Sequence, residues 1–142
     1  MENTLAVEFL TPDVIRKDLE AINTLLQEYK TTITMSDLED ILNQDRILVI
    51  RDEKGVIVGM AGFFVYRKPT GLVGVVEDVV VSPDYRKRGL GRKLMEEILH
   101  IARTEKLKYV FLTSNPARVP ARALYRSLGF KEWETTPFRI FL

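Results

Sequence analysis

The chain has 142 residues and no cysteine, with 46% hydrophobic residues, 29% charged residues and a formal net charge of +1. This composition excludes disulfides and thiolate chemistry, a disordered chain, and a global field that would attract nucleic acid. Because we find no signal peptide and no apolar run of about 20 residues, we expect a cytoplasmic protein that neither enters nor binds a membrane.

The first third of the chain predicts a strand followed by two helices. Alternating apolar residues indicate a strand over residues 4–10. Thr11 and Pro12 are typical of a helix start, and apolar residues at helical spacing continue that helix to about residue 30. Ser36 and Glu39 form a capping box, which predicts a second, short helix.

The middle of the chain predicts three antiparallel strands and a long helix. Residues 46–51, 56–66 and 73–81 are rich in β-forming side chains. The first two runs are joined by a hairpin turn that contains Gly55. At Leu90 the apolar period changes to that of a helix, which continues to about residue 104.

The last third of the chain predicts one more helix between strands. The sequence "KYVFLTS" (108–114) indicates a strand, "PARALYRSL" (120–128) a helix, and "FKEWE" (130–134) and "FRIFL" (138–142) two last strands. Strand–helix–strand order implies right-handed crossovers and parallel pairing in this part. The chain therefore predicts one α/β domain over residues 1–142, a mixed sheet flanked by helices.

The junction between residues 82 and 93 joins a valine strand to the long helix and is both basic and glycine-rich. Gly89 and Gly91 let backbone approach a ligand closely, and the first turn of a helix exposes N–H groups and the positive end of its dipole. The junction therefore predicts an anion site. Its positive charge comes from Arg86, Lys87, Arg88, Arg92 and Lys93. The structural alternative is a tight turn followed by a solvated helix start.

The stretch "VVEDVVVSPDYRKRGLGRKLM", with its Arg-x-x-Gly-x-Gly pattern, resembles the pyrophosphate-binding motif of the GNAT superfamily of N-acetyltransferases. The order of the predicted elements is also similar to the family's, so the resemblance covers essentially the full chain. It implies the GNAT fold and acetyl-CoA as co-substrate. We expect no metal, because no cluster of His, Asp or Glu in the sequence has metal-ligand spacing. The residues that the resemblance assigns to acetyl-CoA here are Val79, Val80 and Val81, beside the pantetheine arm, and Arg86, Lys87, Arg88, Gly89, Leu90, Gly91 and Arg92, around the pyrophosphate.

A second stretch, "TSNPARVPARALYRSLGF" (113–130), resembles the same family. The matching positions are Asn115, Ala121, Leu124, Tyr125, Gly129 and Phe130. The resemblance implies that Tyr125 protonates, or hydrogen-bonds to, the departing CoA thiolate. A phenol suits this role because its ordinary pKa of about 10 keeps it protonated. Asn115 would hydrogen-bond the cofactor near the pantetheine. Without the resemblance, Tyr125 would be interpreted as a core aromatic residue.

Glu77 is a carboxylate inside an apolar run, "VGVVEDVVV", where an unpaired charge is costly to bury. We expect it to take the proton of the attacking amine, directly or through water, or to attract the cationic amine. Alternation along the strand predicts that Glu77 shares a face with Val79 and Val81. Asp78 points to the other face unless a bulge, common here in the family, intervenes. The structural alternative is an ion pair between Glu77 and a cation such as Arg67 or Lys68.

These residues together predict an acetyl-CoA-dependent N-acetyltransferase that moves an acetyl group to a primary amine by direct attack in a ternary complex. The backbone N–H of Val79 would stabilise the oxyanion. We expect a small-molecule or peptide amine as acceptor and no nucleic acid as partner, and a homodimer is left open. Two alternatives are a catalytically degenerate CoA-binding sensor domain and a nucleic-acid-binding module that uses the Arg86–Lys93 cluster.

Overall fold

The computed structural model describes residues 5–142, so the first residue of the predicted strand over residues 4–10 lies outside the described part of the chain. The chain divides into two compact units, Met1–Leu112 and Thr113–Leu142. The first unit contains the β-sheet and three α-helices, and the second contains a further α-helix.

The secondary structure of the first unit is, in chain order, β1 (Val7–Phe9), α1 (Arg16–Leu26), a 3₁₀ turn (Gln27–Tyr29), α2 (Met35–Gln44), β2 (Arg46–Arg51), β3 (Ile57–Lys68), β4 (Gly71–Val81), a second 3₁₀ turn (Pro83–Tyr85), α3 (Leu90–Thr104) and β5 (Val110–Phe111). The second unit contains α4 (Val119–Ser127). The predicted bounds of β2 and α3 agree with those observed.

The five strands form one sheet in the order β1-β2-β3-β4-β5. The first four strands pair antiparallel, and β5 pairs parallel to β4 through Val110 and Phe111. The prediction of a mixed sheet flanked by helices is therefore confirmed. The strand predicted over residues 108–114 is shorter than expected, because only these two residues pair with β4.

Helices α1 and α2 cover one face of the sheet, and α3 covers the other. Ile22 and Leu25 of α1 and Leu38 of α2 belong to one buried cluster with Met60 of β3 and Val80 of β4. Side chains alternate along a strand, so Gly59 faces away from this cluster. A Cβ built on Gly59 would lie 3.7 Å from Leu94 of α3, which places α3 on the second face.

Both N-terminal helices start at residues other than the predicted ones. The hydroxyl of Thr11 donates to the carboxylate of Asp13 rather than capping a helix, and α1 begins only at Arg16. In α2, Thr34 is the N-cap and its hydroxyl accepts from the amide of Asp37. The capping box predicted at Ser36 is therefore wrong. Across residues 5–142, no helix combines the length and the apolar character that crossing a membrane requires.

The two strands predicted over residues 130–134 and 138–142 do not form. An alternating pattern favours a strand only where a neighbouring strand supplies the ladder, and no such partner pairs with this segment within the described chain. Glu132 instead binds α4 through Arg122 and Arg126, at 2.6 and 3.1 Å. Large apolar side chains of this segment remain exposed: Trp133 (58%), Phe138 (92%), Ile140 (80%) and Phe141 (81%).

Candidate active site

A β-bulge interrupts β4 at the two adjacent carboxylates. Glu77 pairs with Gly62 of β3 and Val80 pairs with Met60, so two residues of β4 oppose a single residue of β3 between these pairs. Asp78 is one of the two and has a φ of +53°, in the left-handed region that residues with side chains rarely adopt. Bulges re-aim side chains and leave backbone groups outside the ladder, which is why they occur next to active sites.

The bulge reverses the side-chain alternation of β4. Glu77 and Val80 pair with residues of β3 that are two apart, so both face the side of the sheet that α1 and α2 cover. Val81 pairs with Gly59, on the opposite face. The expectation that Glu77 shares a face with Val81 is therefore wrong, because it assumed an unbroken strand.

The Glu77 and Asp78 carboxylates are exposed, and both retain protons more strongly than usual. Partial desolvation by the surrounding strands raises the pKa of Glu77, and the negative charge of Asp78 raises it further. Desolvation also raises the pKa of Asp78. Within residues 5–142 neither carboxylate has an ion-pair partner, so the alternative of a pair with Arg67 or Lys68 is not observed.

Tyr29 contacts the bulge from the 3₁₀ turn that follows α1. Its hydroxyl donates to the carbonyl oxygen of Val79 at 2.9 Å, across 50 residues of sequence. The Tyr29 ring is half-buried against the cluster under α1 and α2. Sequence reasoning missed this residue, because no local pattern connects a tyrosine at a helix end to a strand so far along the chain.

The loop after β4 ends in an uncapped helix start. Gly89 is the N-cap of α3 with a φ of +77°, and no side chain of residues 5–142 caps the helix there. A Cβ built on Gly89 would meet no atom of these residues within 4 Å. The first bond along α3 runs from the amide of Lys93 to the carbonyl of Gly89, so the amides of Leu90 and Gly91 precede the intrahelical ladder. Backbone N–H groups and the helix dipole thus make this point suited to an anion.

Arg86, at the start of this loop, is exposed, but its side chain makes two contacts with the protein. Its Nη2 lies 3.2 Å from Oε2 of Glu28, and its Nε donates to the carbonyl of Val81 at 3.3 Å. Glu28 belongs to the same 3₁₀ turn as Tyr29. One turn of chain therefore contacts both the bulge and the loop after β4.

Three other cations of the junction also contact the protein through their side chains. Lys87 is exposed and makes no such contact with the described part of the chain, and its φ is +62°. Arg88 lies over the ring of Tyr85 at 4.8 Å, Arg92 pairs with Glu96 at 3.3 Å, and Lys93 donates to the carbonyl of Leu5 at 2.8 Å. The side chains predicted to hold phosphate are thus partly used in local contacts, and the backbone of the junction is the better-placed anion donor.

In the second unit, Tyr125 is buried on α4, with 8% of its surface exposed. Its ring meets that of Phe130 edge-to-face at a centroid distance of 6.1 Å. The amide of Phe130 donates to the carbonyl of Tyr125, and Gly129 takes a φ of +98° just after the helix. The Gly129-Phe130 pair therefore ends α4 and packs beside Tyr125, as expected for a helix C-cap.

Asn115 builds the turn that precedes α4. Its Oδ1 accepts from the amide of Ala117, and its carbonyl accepts from the amide of Arg118, each at 2.9 Å. This leaves the side-chain nitrogen of Asn115 as the donor for a ligand. The neighbouring Ser114 hydroxyl is buried and has no partner within the described residues. No three His, Cys, Asp or Glu side chains of residues 5–142 are grouped so that they could hold a metal ion.

Comparison with known proteins gives matches across most of the chain. The model of the acetyltransferase (GNAT) family matches residues 15–130. A glucosamine 6-phosphate N-acetyltransferase of Trypanosoma brucei brucei is 39% identical over 83 residues, covering 56% of this chain and 54% of the relative, so the chain spans about half of that relative's length. A crystal structure of a Trypanosoma brucei acetyltransferase superposes with a TM-score of 0.81 at 28% identity, covering 98% of this chain and 100% of that one.

A further similarity concerns the fold alone. The structure of AAC(6')-Iy in complex with the bisubstrate analog CoA-S-monomethyl-acetylneamine has a TM-score of 0.77 at 17% identity. It covers 99% of both chains. The fold of this chain is therefore the fold of a protein that has been seen with a CoA conjugate bound.

Proposed function

Because this chain belongs to the acetyltransferase (GNAT) family, we propose that it transfers an acetyl group from acetyl-CoA to a primary amine by direct attack in a ternary complex. The observation that carries the proposal is the bulge at Asp78, which lies on the same strand as Glu77 and a few residues before the uncapped start of α3. This arrangement offers a carboxylate, displaced backbone groups and an anion site along one continuous stretch of chain.

The residues present fit acetyl-CoA. Gly89 has open space where a side chain would stand, so a pyrophosphate oxygen could approach the amides of Leu90 and Gly91. The chain from Val79 to Val81 leaves the bulge at the end of its strand and would line the pantetheine arm. In the second unit, the side-chain nitrogen of Asn115 and the Ser114 hydroxyl, which has no partner among residues 5–142, would be donors for an amide-bearing ligand. When bound, acetyl-CoA supplies the activated acetyl group.

The proposed reaction must remove the amine proton, stabilise the oxyanion and release the thiolate, and a group of this chain is assigned to each task. Glu77 takes the proton of the amine, and its raised pKa makes it a better proton acceptor than an ordinary carboxylate. Asp78, whose pKa is also raised, and an ordered water are the other candidates for this role. The backbone N–H of Val79, in the bulge, donates to the developing oxyanion. The Tyr125 hydroxyl donates a proton or a hydrogen bond to the leaving thiolate.

The acceptor that we propose is a small-molecule or peptide primary amine. Two exposed carboxylates with no ion-pair partner among the described residues would attract a cationic amine to the bulge. The Trypanosoma brucei brucei relative is named for glucosamine 6-phosphate, which is a small amine of this class.

We also propose that the two units act as one domain and that the protein forms a homodimer. The family match runs from residue 15 to residue 130 and so includes parts of both units. The exposed aromatic side chains of residues 131–142 would be covered by a second copy. Two copies present aromatic surface of roughly 1,000 Å² in this segment, close to the minimum of about 1,000 Å² for a specific interface.

Initial velocities with both substrates varied test the direct attack. In double-reciprocal plots of velocity against acetyl-CoA concentration, the proposal predicts that the lines obtained at different amine concentrations intersect. They intersect because both substrates must be bound before the acetyl group moves. Parallel lines, together with an acetylated protein detected by mass spectrometry, would instead show a covalent route.

A further inference from the structure

The 3₁₀ turn Gln27–Tyr29 contacts the end of β4 directly through Tyr29 and indirectly through Glu28 and Arg86. The Tyr29 hydroxyl donates to the carbonyl of Val79, in the bulge. Its neighbour Glu28 binds Arg86, which in turn donates to the carbonyl of Val81. Lys30, with a φ of +55°, ends the turn in the left-handed region, so the backbone is held in a specific conformation there. The turn thus binds one carbonyl directly, that of Val79, and holds the Arg86 side chain that binds the carbonyl of Val81.

From these contacts we propose that Tyr29 is a positioning residue for acetyl transfer, and that the 27–29 turn is the brace that keeps the β4 bulge in its reactive geometry. The proposal rests on the proposed function, because it assigns the purpose of the brace to that reaction. Tyr29 is not proposed to touch the amine or the thioester. It acts on them through the backbone of Val79.

The bulge needs such a brace because it is strained. Asp78 adopts a left-handed φ, which costs free energy in a residue with a side chain. The bulge also removes backbone groups from the regular ladder, and a polar group left without a partner is costly. The Tyr29 hydroxyl provides a partner for the Val79 carbonyl and so stabilises the bulged strand relative to a regular one. Its half-buried ring, packed under α1 and α2, holds the hydroxyl in place.

The contact between Tyr29 and the bulge affects catalysis because the bulge determines the orientation of both the Glu77 side chain and the Val79 N–H. It turns Glu77 to the face that α1 and α2 cover, and it determines where the N–H of Val79 points. A small rotation of this peptide would misplace the oxyanion donor and the proton acceptor together. Misplacement of about 1 Å is enough to slow a reaction by as much as 10²-fold.

The test compares Tyr29→Phe with Tyr66→Phe. The first variant removes the hydroxyl bonded to Val79 and keeps the ring, and the second removes a hydroxyl from a tyrosine that is 43% exposed on β3. We expect Tyr29→Phe to lower kcat by roughly tenfold, with the Kd of acetyl-CoA changed less than twofold. Tyr66→Phe should leave both quantities unchanged. A purely structural role would lower the Tm of Tyr29→Phe without changing kcat well below that temperature, and this outcome would overturn the proposal.

A second readout does not depend on activity. Amide hydrogen exchange at Val79 and Val80 should be faster in Tyr29→Phe than in the parent, and unchanged in Tyr66→Phe. Exchange that stays equal to the parent's would show that the hydroxyl does not hold the bulge, and the proposal would fail. If the parent transfers no acetyl group but exchange changes as expected, the proposed function fails while the brace itself stands.

Discussion

Tyr125 is the residue to which the reaction assigns the leaving thiolate. Changing it to Phe removes one hydroxyl and preserves the ring that packs edge-to-face on Phe130. We predict that Tyr125→Phe slows turnover by roughly 10²-fold while the Kd of acetyl-CoA changes little. Steady-state rates with chemistry rate-limiting give the first quantity and calorimetry gives the second. Equal turnover in variant and parent would remove Tyr125 from the mechanism.

Glu77 is the residue to which the reaction assigns the amine proton. An alkylamine with a pKa near 10 is mostly protonated at pH 7, so the loss of a proton acceptor should be felt most at low pH. We predict that Glu77→Gln loses turnover at pH 7 and regains part of it as the pH rises and free amine accumulates. Glu53→Gln, in the exposed β2–β3 turn, is the matched control. A pH–rate profile parallel to the parent's would transfer the role to Asp78 or to water.

The raised pKa of Glu77 also has a consequence for folding. Below the ordinary value of 4.5 this group is neutral in the folded and unfolded states, and it contributes nothing to the difference between them. As the pH rises from there through the raised folded value, the charge becomes costly only in the folded state. The Tm of the parent should therefore fall relative to that of Glu77→Gln over this pH range. A difference between the two Tm values that does not depend on pH would contradict a raised pKa of Glu77.

At the scale of elements, the turn that opens α3 is expected to hold the pyrophosphate. Gly89→Val would force a branched side chain into a left-handed residue beside the first amides of the helix. Losing one charge-assisted hydrogen bond, worth about 1.5–3 kcal/mol, should weaken acetyl-CoA binding roughly tenfold or more. Gly55→Val is a close control, since Gly55 has a φ of +80° and also has open space around it, but lies in the β2–β3 turn. Equal loss of affinity in both variants would mean that strain alone is responsible.

The sequence predicts the bounds of some helices and strands correctly but not those of others. The bounds of α3 follow from its apolar periodicity and those of β2 from a continuous run of β-forming side chains, because both elements pack against the core along their length. The start of α1 does not, because Thr11 and Asp13 bond to one another instead of to the helix. The prediction of strands over residues 130–134 and 138–142 is wrong because a strand also needs a neighbouring strand to pair with, and a local sequence pattern does not show whether one is present.

For the candidate site, too, the sequence predicts local features but not contacts between residues far apart in the chain. The sequence predicts roles for Glu77 and Gly89, since a carboxylate in a valine run and a turn glycine are visible in a few residues, and both roles stay predictions. The side to which Glu77 points was wrong, because a bulge shifts alternation by one residue and depends on the partner strand. Tyr29 was missed for a related reason: its contact with Val79 joins residues 50 positions apart.

For the whole molecule, the exposed aromatic residues predict an assembly. We expect light scattering at micromolar concentration to give the mass of a dimer, because an exposed apolar segment of this kind favours association. The double variant Phe138→Ser and Phe141→Ser should shift the protein to a monomer with its Tm little changed. A monomeric parent would contradict the homodimer.

The alternative functions are also properties of the whole molecule. In the nucleic-acid reading, the Arg86–Lys93 cluster would bind phosphates of an oligonucleotide, yet Arg86, Arg88, Arg92 and Lys93 all contact groups of the protein itself. A thermal-shift comparison of acetyl-CoA with an oligonucleotide separates these readings. Stabilisation by acetyl-CoA alone would contradict the nucleic-acid-binding module, and it is expected of both the acetyltransferase and the CoA-binding sensor.

The measurement that tests the central claim most directly is release of free CoA thiol from acetyl-CoA across a panel of primary amines, with mass spectrometry of the products. We predict that at least one small-molecule or peptide amine gives amine-dependent thiol release and a matching acetylated product, and that both fall together in Tyr125→Phe. Tight binding of acetyl-CoA without thiol release for any amine would contradict acetyl transfer and favour the sensor.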